Sequence, residues 1–105
     1  MSPEVKVLKP KGILDNNQSI LLRQQVKESI NQGNKIILID FEEVTFMDSS
    51  GLGNLVIIRR MLVDTKGKLF LISLNEQVKM LLFELTNTGQ FFQIIEDEGE
   101  LEAQL

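Results

Sequence analysis

Lys35-Ile36-Ile37-Leu38-Ile39-Asp40 and, beyond a short connection, Met47-Asp48-Ser49-Ser50-Gly51-Leu52-Gly53 decide how this chain is read. Ile36 to Ile39 is an unbroken apolar run closed by a charged residue at each end. It has no polar alternation, so it fits a strand in the middle of a sheet whose two faces are both covered by helices. A helix follows the connection, starting at Ser49 or Ser50. Its apolar stripe includes Leu52, Leu55, Ile58 and Leu62, and Lys66-Gly67 ends it. A buried strand feeding a helix points to an α/β domain.

The same alternation extends outward in both directions. Val5 to Leu8 is a short candidate strand, with Pro10 and Gly12 as breakers behind it. Asn16 or Asn17 can cap a helix running to about Gln32, with Leu22, Val26 and Ile30 on one face and Gly33 just past its end. Leu69 to Leu74 is the next strand. Asn75 can cap a third helix that carries Val78, Leu81, Leu82 and Leu85 inward until Gly89. Phe91 to Ile95 reads as a short strand or an irregular return, and Glu96 to Leu105 as a weak helix or a frayed end. No repeat or linker interrupts the 105 residues, so residues 1–105 are expected to form one domain.

Composition narrows the function classes. An apolar fraction of 43% supports a real core, and no apolar run approaches a membrane span or has the pattern of a secretory signal. No membrane insertion is therefore expected, and the cytoplasm is the expected compartment. The chain has no cysteine, which removes disulfides and thiolate zinc sites. It has no histidine either, the side chain most used as an acid or base near neutral pH and the commonest metal ligand. No catalytic residue, metal or cofactor is expected. The net charge of −4 argues against nucleic acid, because phosphate binding relies on an excess of Lys and Arg.

The start of the second helix is the most unusual feature. Asp48 stands where an N-cap belongs, and its carboxylate can accept a backbone N–H of the first turn. Gly51 and Gly53 weaken a helix start unless small size is needed, and small residues there let another molecule approach the backbone. The unpaired N–H groups of a helix N-terminus favour negative charge, so a serine hydroxyl at that edge is an accessible phosphoryl acceptor. Chemistry alone does not separate Ser49 from Ser50, and Asp-Ser-Ser-Gly is also a good helix cap in its own right.

The string Phe41-Glu42-Glu43-Val44-Thr45-Phe46-Met47-Asp48-Ser49-Ser50-Gly51-Leu52-Gly53 closely resembles the central motif of bacterial anti-sigma factor antagonists in the STAS family. Gly12-Ile13-Leu14-Asp15 resembles the family's element ahead of the first helix. Asn75-Glu76-Gln77-Val78-Lys79 with Leu82 and Leu85 resembles the start of its third helix, and Gly89 to Ile95 its closing segment. The resemblance covers nearly the whole chain in order, and the central string is the specific part of it.

That resemblance implies a small mixed β-sheet with helices packed mainly on one face. It implies that Ser49 is the phosphorylated residue, with Ser50 as the fallback. Asp15, Asp48, Ser49, Ser50, Gly51, Leu52 and Gly53 are implied to lie at the partner-binding surface. The implied partners are an anti-sigma factor that is a serine kinase of the GHKL type, which the unphosphorylated chain binds and the phosphorylated chain leaves, and a PP2C-type phosphatase that resets the switch. Two related roles share the fold: partner switching with a target other than a sigma factor, and regulation of an ABC transporter ATPase. The family also has an edge strand ahead of the one at Val5 to Leu8, which this sequence starts too late to supply. The sheet is accordingly expected to be one strand smaller or to have that edge covered by another chain, as a monomer or weak dimer.

Other residues have plainer readings. Glu42 and Glu43 are expected to be solvated loop residues, and Arg59-Arg60 to mark the wet side of the second helix. Met47, Met61 and Met80 are expected to fill gaps in the core.

Overall fold

The computed structural model describes residues 4–105. Its elements run β1 (Val5–Leu8), β2 (Gly12–Leu14), α1 (Asn16–Asn31), β3 (Ile36–Asp40), β4 (Val44–Met47), α2 (Ser49–Asp64), β5 (Lys68–Ile72), α3 (Glu76–Met80), β6 (Gln93–Ile95) and α4 (Glu98–Gln104). Between α3 and β6 lie a π-helical stretch, Leu81–Leu85, and a 3-10 turn, Gly89–Phe91.

The main sheet has the order β1-β3-β5-β6, and β2 pairs with β4 in a separate two-stranded ribbon. Every pairing among the described residues is parallel, so the strands are not mixed in direction as expected. The family's extra edge strand, which the chain was expected not to supply, would fall ahead of β1, and residues 1–3 lie outside the described part.

The Ile-rich run behaves as its sequence demands. Ile37 and Ile39 point to one face, against Leu22 and Val26 of α1 and Leu55, Ile58 and Leu62 of α2. Ile36 and Leu38 point to the other, where they meet Phe70, Ile72, Ile95 and Leu101. Each fully buried side chain of this kind stabilises the fold by about 1.5–3 kcal/mol. The two long helices share one face, while the second face is covered by the short α4 through Leu101. The tail is therefore a helix, capped by Asp97, whose carboxylate accepts from Glu100 N–H at 2.8 Å.

Two helix boundaries differ from expectation, each for a local reason. Helix α1 is capped by Asp15, with Asn16 already in the first turn; Gly33 follows its end with φ +96°, a conformation only glycine adopts at low cost. Helix α2 ends as expected, but Lys66, not Gly67, takes the left-handed φ of 60°. The third helix widens to π geometry after Met80 and stops at Leu85, four residues before Gly89. There Thr86 N–H bonds back to Leu81 O at 3.2 Å, and Asn87 turns left-handed at φ 53°.

Candidate functional site

The ribbon of β2 and β4 builds the site. Its parallel register pairs Leu14 with Met47, so the next residue on each strand, Asp15 and Asp48, stand side by side. Both have extended backbones, and both cap a helix. Asp15 Oδ1 accepts from Gln18 N–H at 3.0 Å, and Asp48 Oδ1 from Gly51 N–H at 2.8 Å. Two helix N-termini thus open in the same place, each with the partial positive charge of its macrodipole.

Ser49 and Ser50 are the first residues of α2, and both are exposed. Neither hydroxyl bonds to another described residue. Both are therefore open to a phosphoryl donor, and the geometry does not choose between them. Gly53 is exposed as well, and a Cβ built there would meet nothing within 4 Å.

Gly51 and Leu52 have a different role from the rest of the motif. Both are buried. A Cβ on Gly51 would lie 2.2 Å from Leu14 O and 2.8 Å from Met47 Cγ. Glycine is needed here so that α2 can cross close over the ribbon, and not so that a partner can approach. Leu52 belongs to the core beneath. Of these predicted site residues, the ones left at the surface are Asp15, Asp48, Ser49, Ser50 and Gly53.

Three polar side chains hold this surface in place, of which the sequence singled out only Asn75, as a helix cap. Asn54, buried inside α2, donates to Ser19 Oγ at 2.8 Å and accepts from Arg23 Nη1 at 2.8 Å, which ties α2 to α1. Gln77 in α3 accepts from Met47 N–H and donates to Met47 O, both at 2.8 Å. Asn75 caps α3 through Val78 N–H at 2.9 Å and donates to Val44 O and Thr45 O. The strand that delivers Asp48 and Ser49 is thus gripped along its free edge by side chains of α3. An amide interrupting the stripe Leu52, Leu55, Ile58 was the one local signal of Asn54. Gln77, and the Asn75 bonds to Val44 and Thr45, act across about thirty residues of sequence and gave none.

The remaining candidates resolve without chemistry. Glu42 and Glu43 are exposed and pair with Lys9 at 3.2 and 4.0 Å. Lys9 donates to the Glu42 carboxylate, and that hydrogen bond with the charge of Glu42 raises the Lys9 pKa above the ordinary 10.5; the pair bridges the loops feeding the ribbon. Asp40 accepts from Glu42 N–H at 2.9 Å and shapes the turn after β3. No three His, Cys, Asp or Glu side chains converge as a metal site among the described residues. Arg60 is exposed and pairs with Asp64 at 3.2 Å, while Arg59 stacks over the Phe91 ring at 5.7 Å. Met47 is a core residue and Met61 packs against the core, but Met80 is exposed, contrary to expectation. No helix among the described residues is long and apolar enough to cross a membrane.

The profile of the STAS domain matches residues 1–101. The chain belongs to the STAS domain family. Among similar proteins, the anti-sigma-B factor antagonist of Listeria monocytogenes is 36% identical over 77 residues, which is 73% of this chain and 62% of that protein. Its counterpart in Listeria innocua matches equally. The match thus spans less than two thirds of the length of these relatives. Among solved structures, a candidate anti-sigma factor antagonist of Thermotoga maritima superposes with a TM-score of 0.84 at 28% identity, covering 95% of this chain and 86% of that one. The Bacillus cell fate determinant SpoIIAA in its phosphorylated form gives 0.71 at 24% identity, covering 99% and 94%. The STAS fold, with its helices mainly on one face of the sheet, is the architecture expected from the motif string. Within that fold, Asp48 and Ser49 start the second long helix beside the Asp15 cap.

Proposed function

We propose that this STAS chain is an anti-sigma factor antagonist worked by phosphorylation of Ser49. Unphosphorylated, it binds an anti-sigma factor that is a serine kinase of the GHKL type. Phosphorylated, it is released, and a PP2C-type phosphatase resets it. The role is one of binding in the cytoplasm, by a monomer or weak dimer, without turnover of a small molecule.

The observation that carries this reading is the exposed Ser49 hydroxyl on the first turn of α2, beside two capping carboxylates and on a strand clamped by α3. A phosphate there adds roughly −1.5 to −2 charge to a surface already lined by Asp15 and Asp48. The names of the Listeria relatives favour the same role. SpoIIAA, in its unphosphorylated and its phosphorylated form, matches this fold with a TM-score of 0.71.

The test uses the wild-type chain, Ser49→Ala and Ser49→Asp against a purified GHKL-type anti-sigma kinase with ATP. Ser49→Ala should bind and resist phosphorylation, and Ser49→Asp should bind at least tenfold more weakly. If both variants bind and accept phosphate like the parent, Ser49 is not the switch.

A further inference from the structure

We propose that Ile13 and Phe46 form the apolar anchor by which the kinase partner docks beside Ser49; the proposal rests on the switch described above. The two residues are register partners in the β2–β4 ribbon, and they are 57% and 45% exposed. Each lies two residues before a capping aspartate. Side chains two apart on an extended strand share a face, so Ile13, Phe46, Asp15 and Asp48 present one continuous surface that ends at Ser49.

A β-bulge creates this arrangement. Gly12 pairs with Val44 but Ile13 pairs with Phe46, which leaves Thr45 as the extra residue on β4. Without it, strict alternation from buried Val44 would turn Phe46 inward and Met47 outward. With it, Val44 and Met47 both point into the core and Phe46 points out, opposite Ile13. Asn75 takes up the carbonyls of Val44 and Thr45, so the bulge is held by bonds and not left to fluctuate. An aromatic ring re-aimed into solvent does nothing for this fold's own core, whereas aromatic residues in the middle of an interface are common binding anchors.

Charge separates the occupants. Each capping aspartate uses one carboxylate oxygen on its own helix, and the other has no partner among the described residues. Two copies meeting face to face through this small patch would bring four such carboxylates together on chains of net charge −4. A kinase surface with an apolar pocket rimmed by hydrogen-bond donors has no such conflict. It also has to reach Ser49 in order to transfer phosphate, which places it over this ribbon.

The experiment takes a GHKL-type kinase and ATP, with mass spectrometry of the wild-type product to locate the phosphate. Ile13→Thr, Phe46→Thr and the double variant are then compared with wild type and with Val7→Thr, an exposed apolar control on β1. Threonine keeps a strand former at each site, and thermal unfolding checks that the fold survives. The double variant should bind at least tenfold more weakly, with the loss in phosphorylation carried by KM rather than kcat, and Val7→Thr should match wild type. A folded double variant within twofold of wild type in both Kd and KM overturns the anchor and leaves the switch standing. Absence of phosphate at Ser49 removes the switch and the anchor with it. A wild-type dimer in sedimentation that Phe46→Thr dissociates assigns the face to a second copy and also overturns the proposal.

Discussion

Gly51 and Gly53 stand two residues apart on α2, and replacing each by alanine should move stability in opposite directions. Alanine is the better helix former at either site, by about 1 kcal/mol in a helix interior. At Gly53 a Cβ meets nothing within 4 Å, so the gain stands, and Gly53→Ala should stabilise the chain by about 0.5–1 kcal/mol. At Gly51 the added carbon lies 2.2 Å from Leu14 O and 2.8 Å from Met47 Cγ. The Met47 side chain is flexible and can yield. Leu14 O cannot, because it is backbone of β2, which pairs with β4. The first turn of α2 must therefore move away from the ribbon, and overpacking of this kind costs about 1–3 kcal/mol. Because backbone is involved, the upper part of that range applies. After subtracting the helix-propensity gain, Gly51→Ala should lose about 1–2 kcal/mol. In a domain of this size that lowers Tm by roughly 4–10 °C. Urea unfolding followed by far-UV circular dichroism, with thermal scans beside it, measures both variants. Gly51→Ala at or above wild-type stability would refute the close-approach account, as would a Gly53→Ala variant less stable than wild type.

Two further substitutions probe the side chains that hold the site. Asn54→Ala removes the bonds to Ser19 and Arg23 from a buried position, and should cost about 1–3 kcal/mol in urea unfolding. A loss under about 0.3 kcal/mol would mean that the α1–α2 tie contributes nothing net. Gln77→Ala frees the N–H and C=O of Met47, so the Met47 amide should exchange with solvent faster than in wild type while the β3 and β5 amides keep their protection. Unchanged exchange at Met47 would show that the Gln77 clasp does not restrain β4.

Several features were legible in sequence because one physical cause dominates each. Ile36 to Ile39 is apolar on both sides of the pleat and lies in the sheet centre, and the α2 stripe has a helical period. Asp48 was legible as a cap because small residues follow it and the apolar stripe of the helix starts at Leu52. The ribbon was not legible. Gly12–Leu14 is too short to show alternation, and its glycine reads as a breaker. The bulge at Thr45 cancels the alternation that would have marked β4, since Thr45 and Phe46 are both exposed between buried Val44 and Met47. The end of the third helix was misplaced because Leu85 continues an apolar period without being buried, while the stop comes from Asn87 taking a left-handed backbone. At the site, exposure of Ser49 followed from its place at a helix start. The reason for Gly51 did not, because it lies in the carbonyl of a strand far away in sequence.

The geometry also bears on where the energy of a Ser49 switch must reside. Inverting a binding equilibrium from 99:1 to 1:99 takes about 5.5 kcal/mol of differential affinity. Within the free chain, a phosphate on the first turn of α2 gains about 0.3–1 kcal/mol from the helix N-terminus, and the neighbouring carboxylates of Asp48 and Asp15 work against that gain. Displacing the Asp48 cap would offset no more than about 1 kcal/mol either way. These terms are small and partly opposed. Meanwhile Gln77, Asn75 and Asn54 fix the strand and helix on which the serine sits. These bonds hold the strand and helix in one arrangement, so a Ser49 switch of the proposed kind would draw its differential from the contact with the partner. There, a phosphate on Ser49 would have to be desolvated against a surface that had accepted a neutral hydroxyl. A rigid module suits that requirement, because a platform that relaxed around the phosphate would relieve the penalty on which release depends.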